Sequence, residues 1–176
     1  MYFIAIIAPH NINQQVLEWK NYMLQRFNCR VALRSPAHIT IIPPFHMPED
    51  LEQPLIDAMG LIAAKQEKFP VHLSGFGAFA PRVIYVHVQP VKSLQDLKDY
   101  TEDQLIRAEH FPVKSDTRPF HPHITIANRD LRKGDFAAAW EHFHNRKYQA
   151  SFEANALSLL RLGESGWEVI ADLPFR

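Results

Sequence analysis

Apolar residues recur along this chain at two spacings, one typical of strands and one typical of helices. The apolar run Tyr2–Ala8 predicts a buried first strand. From Ile12 to Phe27, apolar side chains return every three or four residues, which predicts an amphipathic helix with Asn11 as its cap. The β-branched run His38–Ile42 predicts a short strand, which the following pair of prolines ends.

The rest of the chain predicts three more helices and five more strands. The helices begin near residues 49, 93 and 130, and the strands are 71–76, 83–88, 123–127, 152–162 and 167–173. After the first strand, the order helix, strand, helix, strand, strand occurs twice, at an offset of about 81 to 85 residues. This repeat predicts one domain, residues 1–176, with two similar lobes at roughly 1–90 and 91–176. The pattern leaves open whether strands are exchanged between the lobes.

Composition and charge narrow the class of protein. Hydrophobic residues make up 47% of the 176 and charged residues 22%, which is typical of a globular chain. Nineteen basic and nineteen acidic residues cancel, so the chain lacks the bulk positive charge of proteins that coat nucleic acid. The single Cys29 excludes an internal disulfide and a cysteine zinc site. No apolar run approaches the roughly 20 residues of a membrane span, and we expect a cytoplasmic protein.

The six glycines exclude several phosphate-binding and nucleophile motifs. No pair fits a GxxxxGK loop, and no GxSxG elbow occurs. The segment 75–80 fits the loose dinucleotide pattern, but that pattern requires a helix to follow and hold the pyrophosphate. The strand-like run Val83–Val88 follows instead, which argues against dinucleotide binding.

Two copies of one tetrapeptide carry the strongest chemical signal. His38-Ile39-Thr40-Ile41 and His123-Ile124-Thr125-Ile126 fall on corresponding short strands of the repeat. With ten histidines and four threonines among 176 residues, about 0.2 His-x-Thr matches are expected by chance. A single copy is typical of a structural histidine, whereas duplication at corresponding positions favours a function.

The spacing within the tetrapeptide explains which chemistry it suits. On a strand, residues i and i+2 point to the same face, roughly 6.5–7 Å apart, so each histidine faces the same way as its threonine. If the lobes face each other, two imidazoles supply a general acid and a general base, and two hydroxyls donate to phosphate oxygens. In-line displacement at phosphorus can use this arrangement without a metal or cofactor. The residues alone do not decide which histidine is the acid.

The paired tetrapeptides and their flanks resemble the 2H phosphoesterase superfamily, and within it the bacterial 2′-5′ RNA ligase family of RNA 2′,3′-cyclic phosphodiesterases. Segment 35–45, Ser-Pro-Ala-His-Ile-Thr-Ile-Ile-Pro-Pro-Phe, is similar to the first family motif. Segment 120–127, Phe-His-Pro-His-Ile-Thr-Ile-Ala, is similar to the second. The resemblance covers nearly the whole chain. It implies an α+β bilobal fold, in which two pseudo-two-fold related lobes with mainly antiparallel sheets line a central cleft and helices lie outside.

The resemblance also implies an activity and residue roles. Enzymes of this family open 2′,3′-cyclic phosphates at RNA 3′ ends or on nucleotides, and some join RNA through a 2′-5′ linkage. His38 matches the proton donor and His123 the proton acceptor, while Thr40 and Thr125 match the threonines that bind phosphate. We expect no cofactor, no metal, no membrane contact and no obligate protein partner. We also expect a monomer, because the repeat completes the cleft within one chain.

Six more residues are candidates for substrate contacts. They are His121, Phe45, Phe79, Phe120, Arg82 and Arg118. His121 lies two residues before a motif histidine and could share its face, the aromatic rings could stack on a base, and the arginines could neutralise phosphate. The alternative for each aromatic ring is core packing, and the alternative for each arginine is a solvated surface position.

Two other functions stay open. A nucleotide or phosphate-binding module would keep the binding residues without turnover. A zinc hydrolase could use His121 with His123, or His142 with His144. The second pair is a poor chelate on a helix, because residues i and i+2 do not share a helix face.

Overall fold

Two antiparallel four-stranded sheets carry the fold, and each contains two strands from either half of the chain. The computed structural model describes residues Met1–Arg176. The strands are β1 (Tyr2–Ile7), β2 (His38–Phe45), β3 (Phe69–Phe79), β4 (Val83–Val88), β5 (His123–Ala127), β6 (Gln149–Ala154), β7 (Ala156–Leu162) and β8 (Trp167–Pro174). The helices are α1 (His10–Phe27), α2 (Glu52–Ala63), α3 (Lys92–Arg107) and α4 (Phe136–Phe143), with 3₁₀ turns at Val31–Arg34 and Glu49–Leu51. The strand orders are β2-β1-β7-β8 and β5-β4-β3-β6, and the predicted α+β class is confirmed.

The repeat begins one element earlier than predicted. The unit β1–α1–β2 forms one edge of the first sheet, and β4–α3–β5 forms the same edge of the second. β4 begins 81 residues after β1, α3 begins 82 after α1, and β5 begins 85 after β2. The prediction that β1 precedes the repeat was therefore wrong. The sequence did not show that β1 and β4 correspond, because β1 is buried on both faces, whereas every second residue of β4 is partly exposed.

The strand predicted over 152–162 is in fact two strands. β6 ends at Ala154 in the second sheet, and β7 begins at Ala156 in the first. The chain crosses between the sheets at the exposed Asn155, whose carbonyl accepts the Phe175 amide at 2.8 Å. A continuous run of strand-forming residues does not reveal this crossing, because both of its parts have the same local pattern.

One predicted helix cap and one predicted helix start were also wrong. α1 begins at His10, and the Pro9 carbonyl accepts the first helical hydrogen bond from Asn13 at 2.9 Å, so Asn11 does not cap the helix. α4 begins only at Phe136, because the residues before it form turns. In these turns Asp130 accepts the Val31 amide at 2.8 Å, a contact that no local sequence pattern could show.

The motif strands separate the core from the opposite sheet face. The four isoleucines of the two tetrapeptides are at most 1% exposed and lie in the main core, while the tetrapeptide histidines and threonines are half-buried on the other side. On the first sheet this other side also carries a small cluster of Phe3, Ala5 and Leu160. The alternation predicted for both tetrapeptides is present. None of the four helices combines the length and the apolar composition that a membrane crossing requires.

Candidate active site

The two motif histidines are held by the same local hydrogen bond. Nδ1 of His38 lies 2.7 Å from the Pro36 carbonyl oxygen, and Nδ1 of His123 lies 2.6 Å from the His121 carbonyl oxygen. A carbonyl oxygen can only accept, so Nδ1 carries the hydrogen in each ring. The neutral rings therefore keep Nε2 as the unprotonated nitrogen, and Nε2 is the atom that can take up or give away a proton.

Each threonine lies two residues beyond its histidine on the same strand face. Thr40 pairs with Ala5 of β1, and Thr125 pairs with Tyr85 of β4. Both threonines are half-buried, and neither hydroxyl donates a hydrogen bond within the protein. Two hydroxyl donors are thus available to a ligand beside the two imidazoles.

Two adjoining cavities open along the motif residues, and Thr40 lines both. The first, called here the His38 cavity, has a volume of about 490 Å³. Its walls include Phe3, Arg34, His38, Thr40, Thr125, Asn128, Arg129 and Trp167. The second, the His123 cavity, has a volume of about 540 Å³. Its walls include Thr40, Phe79, Lys98, Arg118, Phe120, His121 and His123. The two histidines and two threonines thus line two cavities that have Thr40 in common.

Burial and nearby positive charge keep both imidazoles neutral. Burial lowers the pKa of His38 to about 4; the charges of Lys20 and His123 act in the same direction, and the bond to the Pro36 carbonyl opposes them. Burial also lowers the pKa of His123, with a smaller contribution from the charge of His121. Without a bound anion, both rings are therefore unprotonated at neutral pH.

Aromatic rings pack against both histidines. The ring centroid of Phe3 lies 4.8 Å from that of His38. On the other sheet, Tyr85 lies 5.0 Å and Phe79 5.3 Å from His123. Sequence reasoning missed Phe3 and Tyr85, although the period of two along β1 and β4 would have placed them on the motif face once the strand pairing was known.

The other sequence candidates fall into two groups. Phe79, Phe120 and His121 line the His123 cavity, as does Arg118, whose guanidinium is paired with Asp116 at 2.6 Å. The remaining two lie outside both cavities. Phe45 is 9% exposed and packs against Tyr2, with ring centroids 6.3 Å apart, and Arg82 donates to the Arg129 carbonyl at 3.3 Å.

Sequence reasoning also missed two arginines that line the His38 cavity, Arg34 and Arg129. Neither forms an ion pair, and no aspartate or glutamate lines this cavity. Arg129 comes four residues after Thr125 and Arg34 four before His38, so closeness to the motifs was a signal that sequence reasoning could have used. Their guanidinium groups suit a phosphate ligand.

The histidines proposed for zinc have other contacts. His142 stacks on Tyr22 with ring centroids 3.7 Å apart, and His144 lies 2.7 Å from the Asn145 side-chain amide. No three side chains of histidine, cysteine, aspartate or glutamate come together as metal ligands.

The fold and the paired His-x-Thr strands agree with the 2H phosphoesterase superfamily that the tetrapeptides resemble. The chain belongs to the 2′-5′ RNA ligase superfamily, whose family model matches residues 8–166. The resemblance noted from the tetrapeptides is thereby confirmed.

Two relatives show how far the sequence similarity extends. A protein of Oceanobacillus iheyensis, named by inference as a phosphoesterase, is 27% identical over 175 residues, 96% of this chain and 94% of its own length. An RNA 2′,3′-cyclic phosphodiesterase of Geobacillus stearothermophilus is 34% identical over 133 residues. That alignment covers 73% of this chain but only 41% of the Geobacillus protein.

Solved structures share the fold over the whole chain. Escherichia coli LigT, crystallised with 3′-AMP, superposes with a TM-score of 0.71 at 22% identity and covers 99% of this chain and 97% of its own. A protein of Thermus thermophilus superposes with a TM-score of 0.75 at 18% identity and the same coverage. These identities are low, so the structures support the fold only.

Proposed function

We propose that this protein hydrolyses 2′,3′-cyclic phosphates, on nucleotides or at RNA 3′ ends, by general acid and base catalysis from two histidines without a metal. The observation that carries the proposal is the matched pair of imidazoles, each held at Nδ1 with Nε2 left to react, beside two free threonine hydroxyls. Membership of the superfamily supports this reaction class, and the name of the Geobacillus relative supports the cyclic substrate.

The two histidines transfer the protons of the reaction. Nε2 of His123 takes a proton from a water molecule, and the water oxygen forms a bond to phosphorus. The bond from phosphorus to one ribose oxygen breaks, and Nε2 of His38 gives a proton to that oxygen. Thr40 and Thr125 donate hydrogen bonds to the non-bridging oxygens, where negative charge develops. These roles follow the family resemblance. With an RNA 5′-hydroxyl in place of the water, the same groups would break the bond from phosphorus to the 3′ oxygen and form a 2′-5′ linkage.

The low pKa of His38 has a consequence for its role as the acid. An imidazole that is neutral in the free protein cannot donate a proton at Nε2. A phosphate anion close to the ring favours its charged form and raises its pKa, so His38 gains its proton when the substrate binds. Binding of the cyclic phosphate should therefore be accompanied by proton uptake from the buffer near neutral pH.

The test is product analysis by phosphorus NMR with a 2′,3′-cyclic mononucleotide and EDTA present. We expect one phosphomonoester product from the wild-type protein. His38→Ala and His123→Ala should each lose about 10²–10⁴-fold in kcat. His72→Ala, which removes an exposed histidine on β3, serves as the matched control. Turnover that both site variants retain would overturn the proposal.

The same experiment separates the other two functions. A binding module would bind the nucleotide, seen as shifted phosphorus resonances, and release no product. A zinc hydrolase would lose its activity with EDTA and regain it with added zinc. If a single phosphomonoester forms with EDTA present, both alternatives are excluded.

A further inference from the structure

Helix α1 reaches the segment that precedes His38 with two side chains. Lys20 Nζ donates to the Ser35 carbonyl at 2.9 Å. The Asn13 side-chain oxygen accepts the Ala37 amide, also at 2.9 Å. Ser35 and Ala37 flank Pro36, whose carbonyl orients the His38 ring. The peptide that holds the imidazole is therefore itself held on both sides from the helix.

Lys20 is an unusual residue for this position. It is only 4% exposed, forms no ion pair, and has one hydrogen-bond partner for its three N–H groups. Burial without a counter-ion disfavours its charge and lowers its pKa to about 8. An apolar side chain of similar length would fill the same space without that penalty. Stability does not explain the lysine, whereas its contact with the segment that orients His38 does.

We infer that Lys20 and Asn13 are positioning residues for His38, which they hold in its reactive orientation through the segment 35–37. The inference rests on the proposed function, since it assigns these side chains to the same reaction. Neither residue touches the cavities. They act by fixing the Pro36 carbonyl, and with it the ring orientation and the tautomer of the histidine.

The charge of Lys20 also affects when His38 binds a proton. The other charged or titratable groups on its side are His123 of β5 and, around the cavity, Arg34, His46, Arg129 and Met1 with its amino group. No carboxylate lines that cavity, so all the neighbouring charges favour the neutral ring. Lys20 therefore helps to keep the His38 ring neutral until an anion binds beside it.

The corresponding position in the second half carries the opposite charge. Glu102 of α3, 82 residues after Lys20, accepts the Ser115 hydroxyl at 3.1 Å and the Asp116 amide at 3.3 Å. It also pairs with the buried Lys98 at 2.9 Å, so its charge, unlike that of Lys20, has a counter-ion. Both helices thus tether a segment ahead of a motif strand, but only α1 places an unpaired charge near its histidine.

The test compares Lys20→Met with Lys20→Arg, and Asn13→Ala with Asn13→Asp. The first variant of each pair removes the hydrogen bond, and the second keeps its donor or acceptor. Using a 2′,3′-cyclic mononucleotide, we expect Lys20→Met and Asn13→Ala to lose about tenfold in kcat with KM within about threefold. Lys20→Arg and Asn13→Asp should recover most of that loss.

A second measurement does not depend on turnover. Nitrogen NMR of the imidazoles in the free protein reports the pH at which His38 titrates and which nitrogen carries the hydrogen. We expect His38 in Lys20→Met to titrate at higher pH than in the wild type. In Asn13→Ala we expect the neutral His38 ring to be a mixture of the Nδ1–H and Nε2–H tautomers, in place of Nδ1–H alone. Circular dichroism identifies any variant that fails to fold, in which case the other pair decides.

The outcomes separate the two ideas. If folded Lys20→Met and Asn13→Ala keep the wild-type kcat and His38 keeps its titration and tautomer, the positioning role is overturned. If the wild-type protein shows no turnover, the proposed function fails, and the NMR measurements still decide whether α1 holds the imidazole.

Discussion

The ring of Tyr85 lies over Gly77, its partner on the neighbouring strand of the second sheet. A Cβ atom at Gly77 would stand 2.6 Å from the tyrosine hydroxyl oxygen and 2.5 Å from Cζ, so only glycine leaves room for the ring. The same ring packs against Phe79 at 4.6 Å and His123 at 5.0 Å. In the sequence, Gly77 belonged to a loose dinucleotide pattern; in the structure it lies within β3 and makes space beside a motif histidine.

Replacing this glycine should disturb the site through Tyr85. We expect Gly77→Ala to push the ring away from β3, lowering the free energy of unfolding by about 1–3 kcal/mol, the usual cost of overpacking. Because the displaced ring crowds His123, kcat for a 2′,3′-cyclic nucleotide should fall as well. Urea unfolding and initial rates measure the two effects.

A double variant is the control for this prediction. Tyr85→Ala removes the ring, so adding Gly77→Ala to that variant should change the free energy of unfolding little, in contrast to its effect on the wild type. Equal stability of Gly77→Ala and the wild type would contradict the predicted contact.

The fold and the site could be predicted wherever the information is local. The tetrapeptides place Ile39 and Ile124 in the core and the histidines on the other face, because strand alternation depends only on spacing. The superfamily followed from the same residues. Pairing between distant strands could not be predicted. The crossing at Asn155 joins two sheets, and nothing in its neighbours distinguishes it from a continuous strand.

The site shows the same limit. Phe3 and Tyr85 lie near the histidines only through the pairing of β1 with β2 and of β4 with β5. The hydrogen bond from Lys20 to Ser35 spans 15 residues and depends on how α1 packs. The near-zero net charge of the chain also concealed the local excess of positive charge in the His38 cavity, because the balancing acidic residues lie elsewhere.

Protonation of His38 should make folding stability depend on pH. Burial lowers its pKa from 6.5 to about 4 in the folded protein, so the unfolded chain binds the proton more readily. The free energy of unfolding should therefore rise as the pH increases from about 4 to 6.5. The contribution of His38 is fully present above this range and is lost as the pH falls through it. His38→Gln removes this contribution, and its stability should vary less with pH over the same window.

Denaturant unfolding at half-unit pH steps measures this difference. His72→Gln is the matched control, since it also removes one imidazole but from an exposed position on β3. The slopes are compared at constant ionic strength, because surface charges also titrate below pH 5. If His38→Gln and the wild type have the same slope, protonation of His38 is not opposed by folding.

The unpaired arginines of the His38 cavity should contribute to substrate binding. Arg34→Gln and Arg129→Gln each remove one guanidinium from a wall that has no carboxylate. A charge-assisted hydrogen bond is worth about 1.5–3 kcal/mol, so we expect KM for a cyclic nucleotide to rise about tenfold or more in each variant. Arg132→Gln, outside both cavities, is the control; an unchanged KM in both cavity variants would exclude phosphate contacts from these arginines.

Phe45 and Phe79 were equal candidates in the sequence, and the structure separates them. Phe45 is buried against Tyr2, whereas Phe79 is 39% exposed and lines the His123 cavity. Phe45→Ala should therefore lower the free energy of unfolding by about 3–5 kcal/mol, as for other buried aromatic residues. Its kcat and KM, measured below its melting temperature, should stay close to those of the wild type.

Phe79→Ala should change substrate binding and leave the free energy of unfolding nearly unchanged. Stability should change little, because the ring contacts mainly Tyr85 and His123 at the cavity edge. Stacking of a base on an aromatic ring contributes about 1–3 kcal/mol, so a ligand base that rests on Phe79 would make KM rise by about tenfold in the variant. Phe79→Tyr keeps a ring and should keep the KM. If Phe79→Ala binds the cyclic nucleotide as the wild type does, the base lies elsewhere, and the neighbouring Phe120 becomes the residue to replace next.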